Sequence, residues 1–243
     1  MKFVTSWDDG HPCDARIAEL LARYGLEGSF FVPVSNIEGK PVMSNSALRT
    51  LDQSFEIGSH TLEHVYLTRL SKDNCDYQII NGKQGLEDVL GHQVHGFCYP
   101  GGGSNSSVRG SVIASGITYA RGTENFRLDS GHDRFEIPTT IQFYPHPMSV
   151  LLRNFLSKGN YNKRYQVFRK SSSSKNWLNS MFKLIDFYAE TDCVFHLWGH
   201  SWEVNDNNLW SELEQLLKFA SSFNPTSLTV ADSLNENFYR KLI

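Results

Sequence analysis

Lys2-Phe3-Val4-Thr5-Ser6-Trp7-Asp8-Asp9-Gly10 opens the chain with a short, mostly apolar run that ends in two carboxylates and a glycine. The run has the length and composition of a buried strand. Side chains alternate across a strand, so Asp8 and Asp9 point to different sides and can do different work, one holding a metal while the other takes a proton. Acidic pairs also occur as solvated charges or helix caps. Two adjacent carboxylates repel unless a cation lies beside them, and here an apolar run holds them at a strand end, which favours a metal.

Outward from this run the pattern alternates. Residues 14–24 carry apolar side chains at helical spacing, with Gly25 in the place of a C′ residue. Further strands are expected at 28–33, 55–59, 94–99, 117–120, 193–198 and 227–230. Helices are expected at 44–51, 71–90, 108–114, 149–156, 177–188 and 209–219, with one more at the end of the chain. Gly82 and Gly85 weaken the second of these. A short strand is expected at 135–138, and the serine run 171–175 reads as solvated. Strands alternating with helices argue for parallel βα units. Their number exceeds what a small open sheet needs, so the expected fold is α/β, a distorted (β/α) barrel of about seven strands formed by residues 1–243 as a single catalytic domain. Asp8, Asp9, His60, Gly101 and His200 then fall at C-terminal strand ends, the rim where such barrels place chemistry.

Apolar residues make up 40% and charged residues 20%, enough for a substantial core. The net charge of −3 offers no general electrostatic case for nucleic acid or an anionic membrane. No apolar run approaches the roughly 20 residues of a membrane span. No leader segment is legible, so the cytoplasm is the expected compartment. Cys13, Cys75, Cys98 and Cys193 lack metal-site spacing; Cys98 and Cys193 read as small hydrophobes, and no disulfide framework is expected.

Three later stretches complete the acidic pair. His60 and His64 have the spacing that, on a helical turn, puts both imidazoles on one face. Two imidazoles and one carboxylate match a catalytic zinc-type site with a position left open for water. Pro100-Gly101-Gly102-Gly103 lacks the spacing and lysine of a P-loop and reads as a turn presenting N–H groups to an oxyanion. His196 and His200 bracket Leu197-Trp198-Gly199. His196 is expected in mid-barrel, bonded to a backbone group, and His200 at the rim as a general acid. Tyr99, Trp198 and Trp202 are candidate sugar-stacking rings or simply packed aromatics, and Glu203 either accepts a substrate hydroxyl or is solvated.

These pieces resemble the polysaccharide deacetylases with a NodB-type domain, carbohydrate esterase family 4. Thr5-Ser6-Trp7-Asp8-Asp9-Gly10 is similar to the first motif of that family, and His60-Thr61-Leu62-Glu63-His64 to the second. Phe97 to Gly102 occupies the place of the third motif, and Leu197 to His200 that of the last. The resemblance implies a divalent-metal hydrolase that removes an N-acetyl or N-formyl group from an amino sugar. By position it implies Asp8 as general base, Asp9, His60 and His64 as metal ligands, and His200 as general acid. Tyr99, Pro100 and Gly101 would serve the oxyanion and substrate, and Thr61 would brace the metal loop. The metal expected is zinc, with cobalt or nickel as alternatives. Cys98 stands where the third motif usually opens with an arginine that steadies the catalytic aspartate, and Arg121 is the candidate replacement. The aspartate-tryptophan pattern of the fourth motif is absent; Phe135-Glu136-Ile137-Pro138 fills its place.

The expected partner is therefore an N-acylated sugar, in a glycan or glycolipid intermediate, with no nucleic acid and no integral membrane segment. A non-carbohydrate C–N amidase on the same fold and a catalytically degenerate glycan-binding protein are the alternatives. Phosphoryl transfer on magnesium is disfavoured, because imidazoles suit zinc or cobalt better.

Overall fold

The first strand, β1 (Lys2–Asp8), is buried along its whole length and leads through a Gly10 turn into α1 (Asp14–Arg23). The computed structural model describes residues 1–239. It continues through β2 (Ser29–Val32), α2 (Asn45–Asp52), β3 (Glu56–Ser59), α3 (Lys72–Leu90), β4 (Gly96–Cys98), α4 (Ser106–Ala114) and β5 (Tyr119–Arg121). After a long irregular stretch come β6 (Ile141–Gln142), α5 (Met148–Leu156), α6 (Tyr161–Ser171), α7 (Trp177–Ala189), β7 (Val194–His200), α8 (Ser201–Asp206), α9 (Trp210–Ser221), β8 (Thr226–Leu228) and α10 (Val230–Tyr239). The side-chain oxygens of Ser44, Ser71 and Asn105 accept backbone N–H groups at the starts of α2, α3 and α4, which sets where these helices begin.

All pairings are parallel, in the order β5-β4-β3-β2-β1-β7-β6. β8 lies against the first half of β1, while β2 takes its second half. The segment from Ile137 to Gln142 spans the gap between β5 and β7: Ile137 N–H donates to Ala120, and Thr140 N–H to His196. The sheet thus curls into the expected distorted (β/α) barrel. Phe3 and Trp7 turn outward into the main apolar core beneath the helices, whereas Val4 packs with Phe31, Cys98 and Ile137 in a second cluster. Ser6 and Asp8 share the face of Val4, so the acidic end of β1 is presented inward.

Four local expectations need correcting. Residues 135–138 form no strand, only an isolated bridge between Arg121 and Ile137; the strand of this region is β6. α6 and the short α8 have weak apolar periodicity and were not legible, and Ser171 is the buried last residue of α6 rather than part of a solvated run. β7 extends through His200, two residues further than its apolar pattern. Gly82, which weakens α3 as an isolated helix, has a packing reason: a Cβ there would lie 2.4 Å from the carbonyl carbon of Thr61.

Candidate active site

Asp9 follows β1 with φ of +78°, a left-handed conformation that a side-chain-bearing residue adopts at some cost. The twist brings its carboxylate toward the loop after β3. His60 and His64 do not sit on a helical turn as expected; Thr61 and His64 have φ of +71° and +56°, and this contorted loop turns both rings inward. His64 Nε2 lies 3.1 Å and His60 Nε2 3.6 Å from Asp9 Oδ1. α3 holds the loop from behind. Leu62 N–H donates to the Gln78 carbonyl at 2.9 Å and Glu63 N–H to the Gln78 side chain at 3.1 Å. Thr61 Oγ1 accepts from Val65 N–H within the loop.

The outer groups set the direction of the inner ones. His60 Nδ1–H donates to the Cys98 carbonyl at 2.7 Å; a carbonyl only accepts, so Nε2 is left with its lone pair toward Asp9. Trp202 Nε1–H donates to Asp9 Oδ2 at 2.8 Å, which aims Oδ1 at the imidazoles. Asp9 Oδ1 itself is buried and makes no hydrogen bond. An orphaned carboxylate oxygen facing two imidazole nitrogens is what a divalent cation with N and O ligands requires. Burial raises the Asp9 carboxyl, but His60 and His64 outweigh it and hold it far below the usual carboxylate range. A second group, Asp8, His60 and Cys98, is also close enough to ligate. Burial keeps the Cys98 thiol protonated and Asp8 is bound to arginine, so the donor set that fits a metal is Asp9, His60 and His64.

Asp8 is 3% exposed and ion-paired through Oδ1 to the wholly buried Arg121. Its Oδ2 accepts the Cys98 thiol, with Sγ at 3.7 Å. Burial again works against ionisation, but the Arg121 guanidinium, with His60 and His200 beyond it, lowers the Asp8 carboxyl below its ordinary value. Arg121 is thus placed where the absent motif arginine would act.

His200 stands opposite Asp8 in the β1–β7 ladder. Its Nδ1–H donates to Glu203 Oε2 at 2.7 Å, leaving Nε2 for the cleft. Burial opposes the charge on this imidazole, but Glu203 and the two aspartates raise its pKa to about 9. Glu203 Oε2 also accepts from Gln142 Nε2–H, and Gln142 Oε1 accepts from His146 Nε2–H, each at 2.8 Å. Gln142 and His146 were not legible as site residues: one lies on a two-residue strand, the other in an irregular Pro-His-Pro turn. His196 is buried as expected, its Nδ1–H donating to the Pro138 carbonyl and its Nε2 accepting the Ser6 hydroxyl. Burial, with Arg121 nearby, pushes its pKa down to about 3, so it stays neutral.

Asp8, Asp9, His60, His64, Gln142, His146 and His200 line a cleft of about 340 Å³ that also takes in Tyr66, Gly101, Asn125 and, from α5, Arg153 and Asn154. Trp198 is packed, its Nε1–H donating to Asn125 Oδ1 at 3.0 Å, and the Tyr99 hydroxyl donates to the Phe135 carbonyl. Lys40 covers one face of the Trp202 ring at 3.3 Å.

Residues 2–120 match the family model described as polysaccharide deacetylase. A peptidoglycan-N-acetylglucosamine deacetylase from Bacillus cereus is 28% identical over 93 residues, 38% of this chain and 42% of that protein. The match therefore spans less than half of that relative. The fold is shared with a family 4 acetyl xylan esterase from Clostridium thermocellum, solved with a cobalt ion (TM-score 0.60, 13% identity, 100% of this chain and 93% of the other). It is shared also with the Xyl-CE4 domain of a multidomain xylanase from the hindgut metagenome of Trinervitermes trinervoides (TM-score 0.59, 14% identity, 98% and 91%).

Proposed function

We propose that this chain, whose residues 2–120 match the family model described as polysaccharide deacetylase, hydrolyses the N-acyl group of an amino sugar, using a divalent metal held by Asp9, His60 and His64. The observation that carries this reading is the convergence of those three donors beside an arginine-paired Asp8 and across one ladder from His200. The donor set of two imidazoles and one carboxylate suits zinc, with cobalt or nickel as substitutes. When bound, such an ion polarises the acyl carbonyl and makes water easier to deprotonate.

The chain's own residues supply the rest. Asp8, kept ionised by Arg121, takes the proton from the attacking water. The backbone N–H of Gly101 is assigned to the developing oxyanion, because Tyr99 N–H already donates to the Arg121 carbonyl and Gly102 N–H to the Tyr99 carbonyl. His200, protonated at neutral pH and steadied by Glu203, gives its proton to the departing amine. The amine then leaves with its charge neutralised, and the carboxylic acid is released.

The test is acyl release from N-acetylated chitooligosaccharides, with O-acetylated xylan as the ester comparison, by protein reconstituted with zinc, cobalt or nickel. Asp8→Asn should retain metal and lose turnover by about 10²–10⁴-fold, the size of a general-base contribution. Asp9→Ala should lose the metal as well. Absence of acyl release with every metal, or an Asp8→Asn variant as active as wild type, overturns the assignment.

A further inference from the structure

From Ile137 to Ile185 the chain contains eight lysines and arginines and no acidic residue, although the whole chain carries a net charge of −3. The segment holds α5 and α6. Met148, Leu152 and Leu156 recur every fourth residue along α5 and stand 52%, 44% and 55% exposed. On α6, Tyr161 and Tyr165 are exposed in the same way. The Tyr161 hydroxyl donates to the Leu156 carbonyl, so the two exposed rows meet at the hairpin. These side chains are not loose ends of a poorly packed element. Phe155 turns into the core, and the buried Arg164 guanidinium donates to the carbonyls of Asn125, Asn154, Phe155 and Gly159, fastening the hairpin to the barrel. Another side of α5, through Val150, Arg153 and Asn154, forms a wall of the catalytic cleft.

We infer that the α5–α6 hairpin docks the protein on an anionic lipid surface. A row of leucine and methionine with tyrosines at its edge, in a segment whose charged residues are all cations, is the composition of a helix that lies in a membrane interface. The apolar row enters the acyl boundary while Arg169 and Lys175, both exposed, meet lipid phosphates. No helix among the described residues is long and apolar enough to cross a membrane, so the association is peripheral. This inference goes beyond the hydrolytic reading and does not depend on it, since vesicle binding requires no turnover.

The experiment is co-sedimentation of the full chain with vesicles of phosphatidylcholine alone and of phosphatidylcholine mixed with phosphatidylglycerol, at low and high salt. Wild type should bind only the phosphatidylglycerol vesicles and be released by salt. Leu152→Ser/Leu156→Ser and, separately, Arg169→Gln/Lys175→Gln should each weaken binding by about ten-fold or more, as loss of apolar or electrostatic contact at an interface predicts. Failure of wild type to bind the anionic vesicles overturns the inference, as does undiminished binding by both variants. Analytical ultracentrifugation without lipid provides the remaining arm. A dimer that Leu152→Ser/Leu156→Ser dissociates would assign the surface to a second copy of the chain and overturn the lipid assignment.

Discussion

Arg121 stands directly across the β4–β5 ladder from Cys98, and from there its guanidinium reaches the carboxylate of Asp8. The position that resembles the motif arginine is thus occupied by a thiol, while the cation has moved one strand over. Because the two residues are register partners, both point to the same side of the sheet, and a single aspartate receives both. Removing the cation alone should leave a buried carboxylate without its counter-charge. Arg121→Ser is expected to lower unfolding free energy by about 3–5 kcal/mol, read from urea midpoints, and to reduce turnover. The double variant Cys98→Arg/Arg121→Ser, which returns the guanidinium to the neighbouring strand, should recover part of both losses; a double variant no better than Arg121→Ser would show that the two positions are not interchangeable.

Trp202 acts through Asp9 rather than as a free stacking face. Trp202→Phe keeps the ring and deletes the N–H that aims the carboxylate. Metal affinity, measured by competition with a chromogenic chelator, should fall about 10–100-fold, the usual effect of losing an outer hydrogen bond to a ligand. An unchanged affinity would return Trp202 to a packing or substrate role.

The His200–Glu203 pair makes a signed pH prediction. The folded-state pKa of His200 is raised to about 9, so its charged pair with Glu203 stabilises the fold fully below the ordinary histidine pKa and is lost as pH climbs through about 9. In the proposed reaction the same proton serves the leaving amine. In Glu203→Gln the alkaline limb of kcat/KM should therefore move to lower pH, and the loss of stability with rising pH should be smaller and complete at lower pH. A profile identical to wild type would detach Glu203 from the acid.

Gly82 tests the link between α3 and the loop that carries His60 and His64. Gly82→Ala places a methyl group against the Thr61–Leu62 backbone, with contacts of 2.4–2.8 Å. The gain in helix propensity of about 1 kcal/mol should be outweighed by displacement of the loop. Both lower thermal stability and weaker metal binding are expected; a more stable variant with normal metal affinity would mean the loop yields freely.

Much of this was legible in order along the chain. Asp8-Asp9, His60 and His64 are marked by local chemistry, since each sits at or after the end of a run with the composition of a strand. The alternation of such runs with helical spacing was enough to predict the barrel. His196 was readable as a buried, neutral histidine for the same reason: an apolar run leaves it no solvent. The path of the loop from His60 to His64 is not legible, because their i, i+4 spacing suits a helical turn, whereas packing against Gly82 and Gln78 imposes a left-handed path. α6 has little apolar periodicity; its place is held by Arg164 bonding four carbonyls, an arrangement without a local pattern.

By itself the amino-acid sequence determined which residues are candidates for the chemistry and which segments become strands, because burial period and side-chain type are local properties. Only the tertiary structure decided which groups orient them. The reach of Arg121 to Asp8, the bond from Trp202 to Asp9, and the chain from His200 through Glu203 and Gln142 to His146 all join residues whose spacing in sequence is arbitrary. Net charge behaves likewise: summed over the chain it conceals a basic hairpin, which becomes one surface only when α5 and α6 fold beside the cleft. Hydrogen bonds and fields depend on distance in space, and the curl of a parallel sheet sets those distances.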